Sequence, residues 1–175
     1  VPAGADVLRV DAATMPPTIT RLGTGAWTMN WLDLDQDGSA VSVSSNGTVY
    51  RVSGGSATPV ATGLGTLSAV AVDLDRGDYV VASTSSTTAL RRVNPVTGAV
   101  SALATGLASI QGIAQDPETG DFFVVRTGSL NRVTAAGAVS TLASGGTNLA
   151  TASCVRLLPE GHADGGVREF IFRRA

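Results

Sequence analysis

The sequence predicts an all-β fold built from four copies of one repeat, and three observations lead to this prediction. Charged residues are only 15% of the chain, and Gly, Ser, Thr, Ala and Val dominate, which favours strands and tight turns over long helices. An Arg-Val pair recurs every 40 to 42 residues, at Arg9, Arg51, Arg92 and Arg132. A second apolar run follows each pair and closes on a glycine, at Gly25, Gly63, Gly106 and Gly145.

Each repeat divides into four short antiparallel strands, A to D. In the second full repeat these are predicted over residues 67–73, 79–84, 88–94 and 99–105. Strand A is apolar and ends in a carboxylate-rich turn, where a Gly or Asp leads into strand B, as Gly77 and Asp78 do before Tyr79. Four such strands in a period of about 41 residues are typical of a β-propeller blade. A β-sandwich is the main alternative, but it requires no self-similarity at this period.

The repeats predict a single β-propeller domain over residues 1–175. The blade pieces are 1–25, 26–65, 66–108, 109–146 and 147–175. The chain opens on strands C and D of one repeat, at 5–10 and 18–24, and closes on strands A and B of another, at 149–157 and 167–173. Pairing these two half-blades would close the ring within one chain, and dimerisation would close a larger ring. A half-ring or a fragment of a larger propeller protein is a further alternative.

The charge and the apolar pattern exclude several classes of partner. The formal net charge is −2, so a basic surface for nucleic acid is not expected. No apolar run approaches the roughly 20 residues that a transmembrane helix needs. Cys154 is the single cysteine, so an internal disulfide framework is not expected. The low-charge, Ser/Thr/Gly-rich surface favours a secreted or periplasmic protein.

The recurring arginines lie on strand C, outside the central channel of a propeller. We therefore expect them to form ion pairs at the surface or between blades, rather than a ring that binds an anion.

The run Asp33-Leu34-Asp35-Gln36-Asp37-Gly38 is a candidate metal site. Asp33, Asp35 and Asp37 supply three hard oxygen ligands with a glycine for the bend, as calcium loops do. An EF-hand would need an acid at the twelfth position, which is Ser44. The alternative is an Asp-rich hairpin turn between strands A and B. Calcium is the only cofactor that the sequence suggests, and the turn requires none.

Polar and aromatic residues on or near the inner strands form the candidate ligand-binding surface. They are Trp27, Asn30, Trp31, Gln111 and Asn148. Propeller ligands reach the axis through the D–A and B–C loops, and binding sites combine aromatic surface with a few polar groups. The alternative is that the tryptophans wedge between blades and the amides bond to backbone. His162 is the only histidine, so neither a multi-histidine metal centre nor a catalytic residue is predicted.

Three motifs carry a resemblance to known propellers. They are Asn94-Pro95-Val96-Thr97-Gly98, Asp116-Pro117-Glu118-Thr119-Gly120-Asp121 and the Leu-Ala-Thr-Gly end at 103–106. These resemble blades of the NHL-repeat and gluconolactonase or streptogramin-lyase-like propellers. The resemblance implies rings that usually have six or seven blades, and in the enzymes a lactonase or lyase reaction that uses a divalent metal near the central channel.

The sequence therefore favours a non-catalytic scaffold that binds a protein, glycan or small-molecule ligand. Two alternatives remain at this point: a propeller enzyme of the lactonase or lyase kind, with Asn30, Gln111 and Asn148 as metal contacts, and a half-ring that forms a homodimer or belongs to a larger protein.

Overall fold

The computed structural model describes residues 5–11, 13, 15–25, 28–84, 89–145, 152–157 and 170–174. Within these residues the protein has sixteen strands and no helix. The strands are β1 (Ala5–Asp11), β2 (Thr18–Gly25), β3 (Met29–Leu34), β4 (Ala40–Ser44), β5 (Val49–Ser53), β6 (Gly55–Ala61), β7 (Leu67–Val72), β8 (Tyr79–Ser83), β9 (Leu90–Val93), β10 (Val100–Ala104), β11 (Ile110–Gln115), β12 (Phe122–Arg126), β13 (Ser129–Val133), β14 (Val139–Ser144), β15 (Ala152–Leu157) and β16 (Phe170–Arg174). None of the described residues belongs to a helix long and apolar enough to cross a membrane.

The strands form three complete blades and two hairpins. Blade 1 (β3–β6), blade 2 (β7–β10) and blade 3 (β11–β14) are antiparallel meanders whose strands are hydrogen-bonded in chain order. The N-terminal hairpin is β1–β2, and the C-terminal hairpin is β15–β16. The first strands of the successive units, β3, β7, β11 and β15, contact one another in that order, so they are the inner strands. This arrangement confirms the predicted all-β propeller class.

The hydrophobic core lies between blades, because the second strand of each complete blade is buried on both of its faces. On β8, Tyr79 and Val81 pack with blade 1, whereas Val80 and Ala82 pack with Phe122 of blade 3 and its neighbours. A strand covered on both sides needs apolar residues at consecutive positions rather than at alternate ones. This explains the uninterrupted runs at 79–82 and 122–125.

Glycines hold the outer parts of neighbouring blades close together. Gly98, in the turn between β9 and β10, has a φ of +70°, and a Cβ there would lie 2.7 Å from the carbonyl oxygen of Val60 on β6. Gly137 is the equivalent residue of blade 3, and a Cβ there would overlap the carbonyl oxygen of Leu103 on β10. Each of these turns therefore packs against the outer strand of the preceding blade through backbone alone.

The predicted closure of the ring by pairing the N-terminal hairpin with the C-terminal hairpin is not the pairing in this structure. Instead, β2 pairs in parallel with β6 of blade 1, and β15–β16 form a separate two-stranded sheet. The N-terminal hairpin is held on blade 1 by Val7, which packs with Ala40 and Val52. Gly23 allows the close approach, since a Cβ there would overlap the Val52 side chain.

We expect Gly137→Ala to destabilise the protein clearly more than Gly106→Ala. Gly106 also has a positive φ, of +76°, but a Cβ there would meet nothing within 4 Å. Gly106→Ala should therefore cost roughly 1 to 2 kcal/mol from its backbone conformation alone. The Gly137 methyl would additionally force blades 2 and 3 apart at the Leu103 carbonyl. Urea unfolding of both variants measures the difference, and equal losses would contradict the contact.

Candidate functional site

Every inner strand carries a β-bulge at its second residue. The pairing register with the neighbouring strand shifts at this point in β3, β7, β11 and β15 alike. The residues that the bulges leave unpaired are all polar, and we call these four positions the bulge row: Asn30, Ser68, Gln111 and Ser153. Bulges redirect side chains and are frequent beside functional sites. Because the inner strands are neighbours, the row lies across the end of these strands that is next to the D–A and B–C loops.

The described side chains of the bulge row differ in their exposure and in whether they hydrogen-bond to the rest of the protein. Asn30 is exposed, and its Nδ2 donates a 2.7 Å hydrogen bond to the carbonyl oxygen of Leu67, which links blade 1 to blade 2. Gln111 is exposed. The Oγ of Ser68 is sheltered and has no hydrogen-bond partner among the described residues. All four residues of the row are of uncharged types. A charged residue lies nearby in blade 3, where Ile110, the residue before Gln111, pairs with Arg126.

The loops around the bulge row are held in defined conformations. Ser109, two residues before Gln111, has a φ of 56°, a region that a non-glycine residue enters at a cost of about 1 to 3 kcal/mol. In blade 1 the turn between β4 and β5 packs on the loop that follows β6, where the backbone N–H of Leu64 donates to the carbonyl of Gly47 at 3.1 Å. A Cβ at Gly47 would lie 2.5 Å from the Gly65 carbonyl oxygen, so only glycine allows this contact.

Trp31 is a partly buried core residue beside the bulge row. It packs against the clusters on both sides of blade 2, so its ring extends from the blade 1–blade 2 interface toward the blade 2–blade 3 interface. The register places small residues at the equivalent points of the other inner strands: Ala69, Gly112 and Cys154. One large ring and three small residues are therefore found at this level of the inner strands.

The structure brings together some of the residues predicted for the ligand surface. Asn30 and Gln111 share the bulge row, and Trp31 follows Asn30 directly. Trp27 and Asn148 lie outside the described residues, as does His162. The sequence pattern does not show the equivalence of Asn30 with Ser68 and Gln111, because the alternating aspartates at 33, 35 and 37 leave the register of the first repeat open by two residues. It also missed Ser109, whose backbone conformation has no sequence signal.

At the opposite end of the inner strands, the three aspartates of the candidate calcium loop face protein donors. Asp33 accepts the backbone N–H of Val72 at 2.9 Å, and Asp35 accepts the hydroxyl of Tyr79 at 2.7 Å. Asp37 accepts the backbone N–H of Ser39 at 2.9 Å and pairs with Arg51. In the part of the chain that the structure describes, no three His, Cys, Asp or Glu side chains are grouped to hold a metal.

Two groups at this turn have shifted pKa values, and the causes differ between them. Burial, with a further contribution from Asp35, raises the pKa of Tyr79, so its hydroxyl stays protonated and donates to Asp35. Hydrogen bonds from Ser39, followed by Arg51, lower the pKa of Asp37 against the opposing effect of burial. The stabilisation from Asp37 is therefore complete above its pKa in the unfolded chain, and it is lost as the pH falls through the lower folded value.

A buried ion pair within blade 2 also contacts blade 3. Arg92 pairs with Asp73, and the two side chains are 9% and 2% exposed. The other guanidinium nitrogen of Arg92 donates to the carbonyl oxygen of Ala135 at 2.9 Å, and the group lies 5.6 Å from the centre of the Phe122 ring. Gln115 donates to the other carboxylate oxygen of Asp73 at 3.0 Å, which also accepts the backbone N–H of Asp75. Elsewhere the recurring arginines form more exposed pairs within a blade, Arg51 with Asp37 and Arg132 with Asp121.

The blade meanders, the inner strands and the contacts between blades define the protein as a β-propeller chain. No family model matches the sequence, and no curated protein matches it. Solved structures match the fold. A nidogen/laminin complex is 16% identical, with 87% of this chain and 64% of that chain covered and a TM-score of 0.71. A catalytically inactive virginiamycin B lyase from Staphylococcus aureus with quinupristin is 14% identical, with 86% and 52% covered and a TM-score of 0.66.

A third match is an auxiliary nutrient binding protein from Bacteroides ovatus, which is 13% identical, with 70% and 32% covered and a TM-score of 0.58. The chain thus spans about a third to two thirds of the length of these structures. At these identities the likeness concerns the fold alone.

We expect Arg92→Ala to be far more damaging than Arg51→Ala. Removing Arg92 leaves Asp73 buried and unpaired, which should cost about 3 to 5 kcal/mol of unfolding free energy. Arg51 and Asp37 are 37% and 54% exposed, so solvent screens that pair and its loss should cost less than about 1 kcal/mol. Chemical denaturation of both variants measures these values, and similar losses would show that the Arg92 pair does not stabilise the blade interface.

We expect calcium to leave the Tm of the protein unchanged, because each aspartate of the loop already has a protein donor. A ligand that binds only the folded state must raise the Tm. Thermal unfolding in excess calcium and in excess chelator provides the comparison. A rise with calcium that disappears in Asp35→Asn would instead support the calcium loop that the sequence pattern suggests.

Proposed function

We propose that the chain is a non-catalytic binding module, which uses the bulge row and the adjoining loops to hold an uncharged polar ligand such as a glycan. The observation that carries this proposal is the bulge at the same point of four inner strands, each with a polar residue. A bulge removes its residue from the pairing pattern, so strand pairing does not require these residues to be polar.

The chemistry of the bulge row suits neutral hydrogen-bonding groups. Asparagine, glutamine and serine each offer donors and acceptors without a formal charge. Trp31, beside the row, adds aromatic surface at its partly exposed edge. Binding sites commonly combine such apolar surface with a few placed polar groups. A polar segment of a protein partner would use the same chemistry.

The proposal places this module outside the cytosol. The low-charge, Ser/Thr/Gly-rich composition supports this location. Among the structures that share the fold, one is described as a nutrient binding protein and others as extracellular domains of Bacteroides thetaiotaomicron sensor proteins. These descriptions concern those proteins, and they support the proposal only by analogy of fold.

A lactonase or lyase reaction is the second candidate, and the likeness to the virginiamycin B lyase favours it. Asn30 and Gln111 would then be contacts of a divalent metal near the channel. This reading predicts that magnesium or manganese raises the Tm of the protein and that Asn30→Ala abolishes the effect.

The binding proposal is tested by NMR titration of the isotope-labelled protein with maltose, cellobiose and chitobiose. We expect at least one of these sugars to shift backbone amide signals of the bulge row and of the loops 45–48, 62–66 and 105–109. Asn30→Ala with Gln111→Ala should weaken that binding about tenfold, because two hydrogen bonds contribute roughly 1 to 3 kcal/mol together.

The matched control removes two polar groups from the rim of the propeller, Thr58→Ala with Ser101→Ala, which are exposed on outer strands. It should bind as the parent does. Signal shifts confined to the rim, no shifts with any of the three sugars, or equal weakening by both pairs of substitutions would contradict the proposal.

A further inference from the structure

The acidic residues of the blades lie at one end of the strands, away from the bulge row. Every Asp and Glu of blades 1 to 3 lies within 33–37, 73–78 or 116–121, where strand A turns into strand B. The segments that connect strands at the other end, which we call the bulge-row end, contain no Asp or Glu: 26–28, 45–48, 62–66, 84–89, 105–109, 127–128 and 145–151. On the N-terminal hairpin, Asp6 is already paired with Arg21.

Arg126 is a cation at the bulge-row end of blade 3. It is the last residue of β12 and pairs with Ile110, directly beside the bulge at Gln111. Phe122 and Val124, at the alternate positions before it, pack with blade 2. Because side chains alternate along a strand, Arg126 faces the boundary between blades 2 and 3. It lies one strand outward from the bulge row, at a strand spacing of about 4.8 Å.

The position of Arg126 is occupied by serine in the other two complete blades. Ser44 and Ser83 pair with the first residue of their inner strands in the same way, and they are 1% and 2% exposed. Arg126 is partly exposed. A small hydroxyl can be buried at this point, whereas a guanidinium that is removed from water in part needs a partner of opposite charge.

No such partner is found within the described ranges. The ion pairs there use other arginines, and Arg126 has neither an ion pair nor a hydrogen bond from its guanidinium to a described residue. Asp121, at the acidic end of the same strand, is five residues away, which is about 16 Å or roughly two Debye lengths at physiological salt. The acidic turns therefore leave the charge of Arg126 largely uncompensated.

The backbone that carries Arg126 is fixed on both sides. In the turn that follows it, the N–H of Thr127 donates to the carbonyl oxygen of Ser109 at 3.4 Å. The carbonyl oxygen of Gly128 accepts the N–H of Gly145 at 2.9 Å. The loops before and after blade 3 thus hold this turn, so little backbone order remains to be gained when a ligand binds.

We propose that Arg126 is a subsite for one carboxylate, so that the bulge row takes acidic glycans in which a uronic acid is linked to a neutral sugar. The neutral hydroxyls lie on Asn30 and Gln111, and the carboxylate accepts the forked N–H groups of the guanidinium. One guanidinium balances one negative charge, which suits a carboxylate better than a phosphate monoester with nearly two. This inference rests on the proposed function and extends it from neutral glycans to glycans that carry a carboxylate.

NMR titration with a matched pair of sugars tests the subsite. Cellobiouronic acid differs from cellobiose in one carboxylate that replaces a hydroxymethyl group. We expect the acid to bind about tenfold more tightly, because hydrogen bonds to a charged group are stronger than neutral ones. It should also shift the side-chain Nε–H signal of Arg126. The preference should shrink when NaCl is raised from about 0.05 M to about 0.5 M, since salt screens the attraction.

Three variants assign the preference to Arg126. Arg126→Gln should remove it, and Arg126→Lys, which keeps the charge without the fork, should retain part of it. Arg51→Gln is the matched control, because it removes the same charge from the acidic end of blade 1, where Arg51 pairs with Asp37. This variant should keep the full preference. Circular dichroism verifies that all three variants fold.

The outcomes separate this inference from the proposed function. If cellobiose shifts bulge-row signals and the acid binds no better, the inference is overturned and the proposed function stands. An equal loss of preference in Arg51→Gln would also overturn it, because net charge alone would then account for the effect. Glucuronate and glucose cover the opposite case. Shifts of Arg126 with glucuronate but not with glucose would support the subsite even where cellobiose does not bind and the proposed function fails.

Discussion

The fold depends on one constraint: a blade is a thin sheet that must bury both of its faces. The second strands of blades 2 and 3 are apolar at consecutive positions, because one set of side chains packs on the preceding blade and the other set on the following blade. An isolated blade would leave both of these faces in water, at roughly 25 cal/mol for each Å² of apolar surface. The blades are therefore stable only as neighbours, in the manner of other repeat proteins.

The two ends of the inner strands serve different purposes. At the end where these strands finish, Asp33, Asp35, Asp73 and Gln115 accept or donate hydrogen bonds across the blade boundaries, and the buried Arg92 pair fixes blades 2 and 3. The polar side chains at this end thus bind neighbouring blades to one another. At the end where the strands begin, bulges turn polar residues out of the pairing pattern, and only Asn30 has a described bond to a neighbouring blade. A binding site requires polar groups that are available to a ligand and are supported by rigid strands, and the inner strands combine these two features.

The sequence predicts most of the architecture because the repeat is regular. The strands expected at 67–73, 79–84, 88–94 and 99–105 match β7 to β10 within two residues, and both terminal hairpins lie where the pattern places them. The candidate site was harder to predict. In the first repeat, Asp33, Asp35 and Asp37 alternate, so any of them matches the single aspartate that opens the turn in the other repeats.

The structure identifies Asp35 as the equivalent of Asp73 and Asp116, since all three open the turn with the same backbone hydrogen bond. Only with that register does Asn30 join Ser68 and Gln111. The bulges themselves have no residue signature, and the attachment of the N-terminal hairpin to blade 1 depends on contacts between residues far apart in the chain. Pattern and turn chemistry thus predict the strands, whereas long-range packing decides where the N-terminal hairpin attaches.

The contact of Gly98 and Gly137 with the outer strand of the preceding blade has a consequence for how such chains diverge. It joins backbone to backbone, so the spacing between blades is set by peptide groups and by the absence of a single side chain. Almost every other residue at the rim is then free to change without altering that spacing. Propellers can in this way keep a common blade packing while sharing few residues, which fits a chain that superposes on a longer protein at 16% identity.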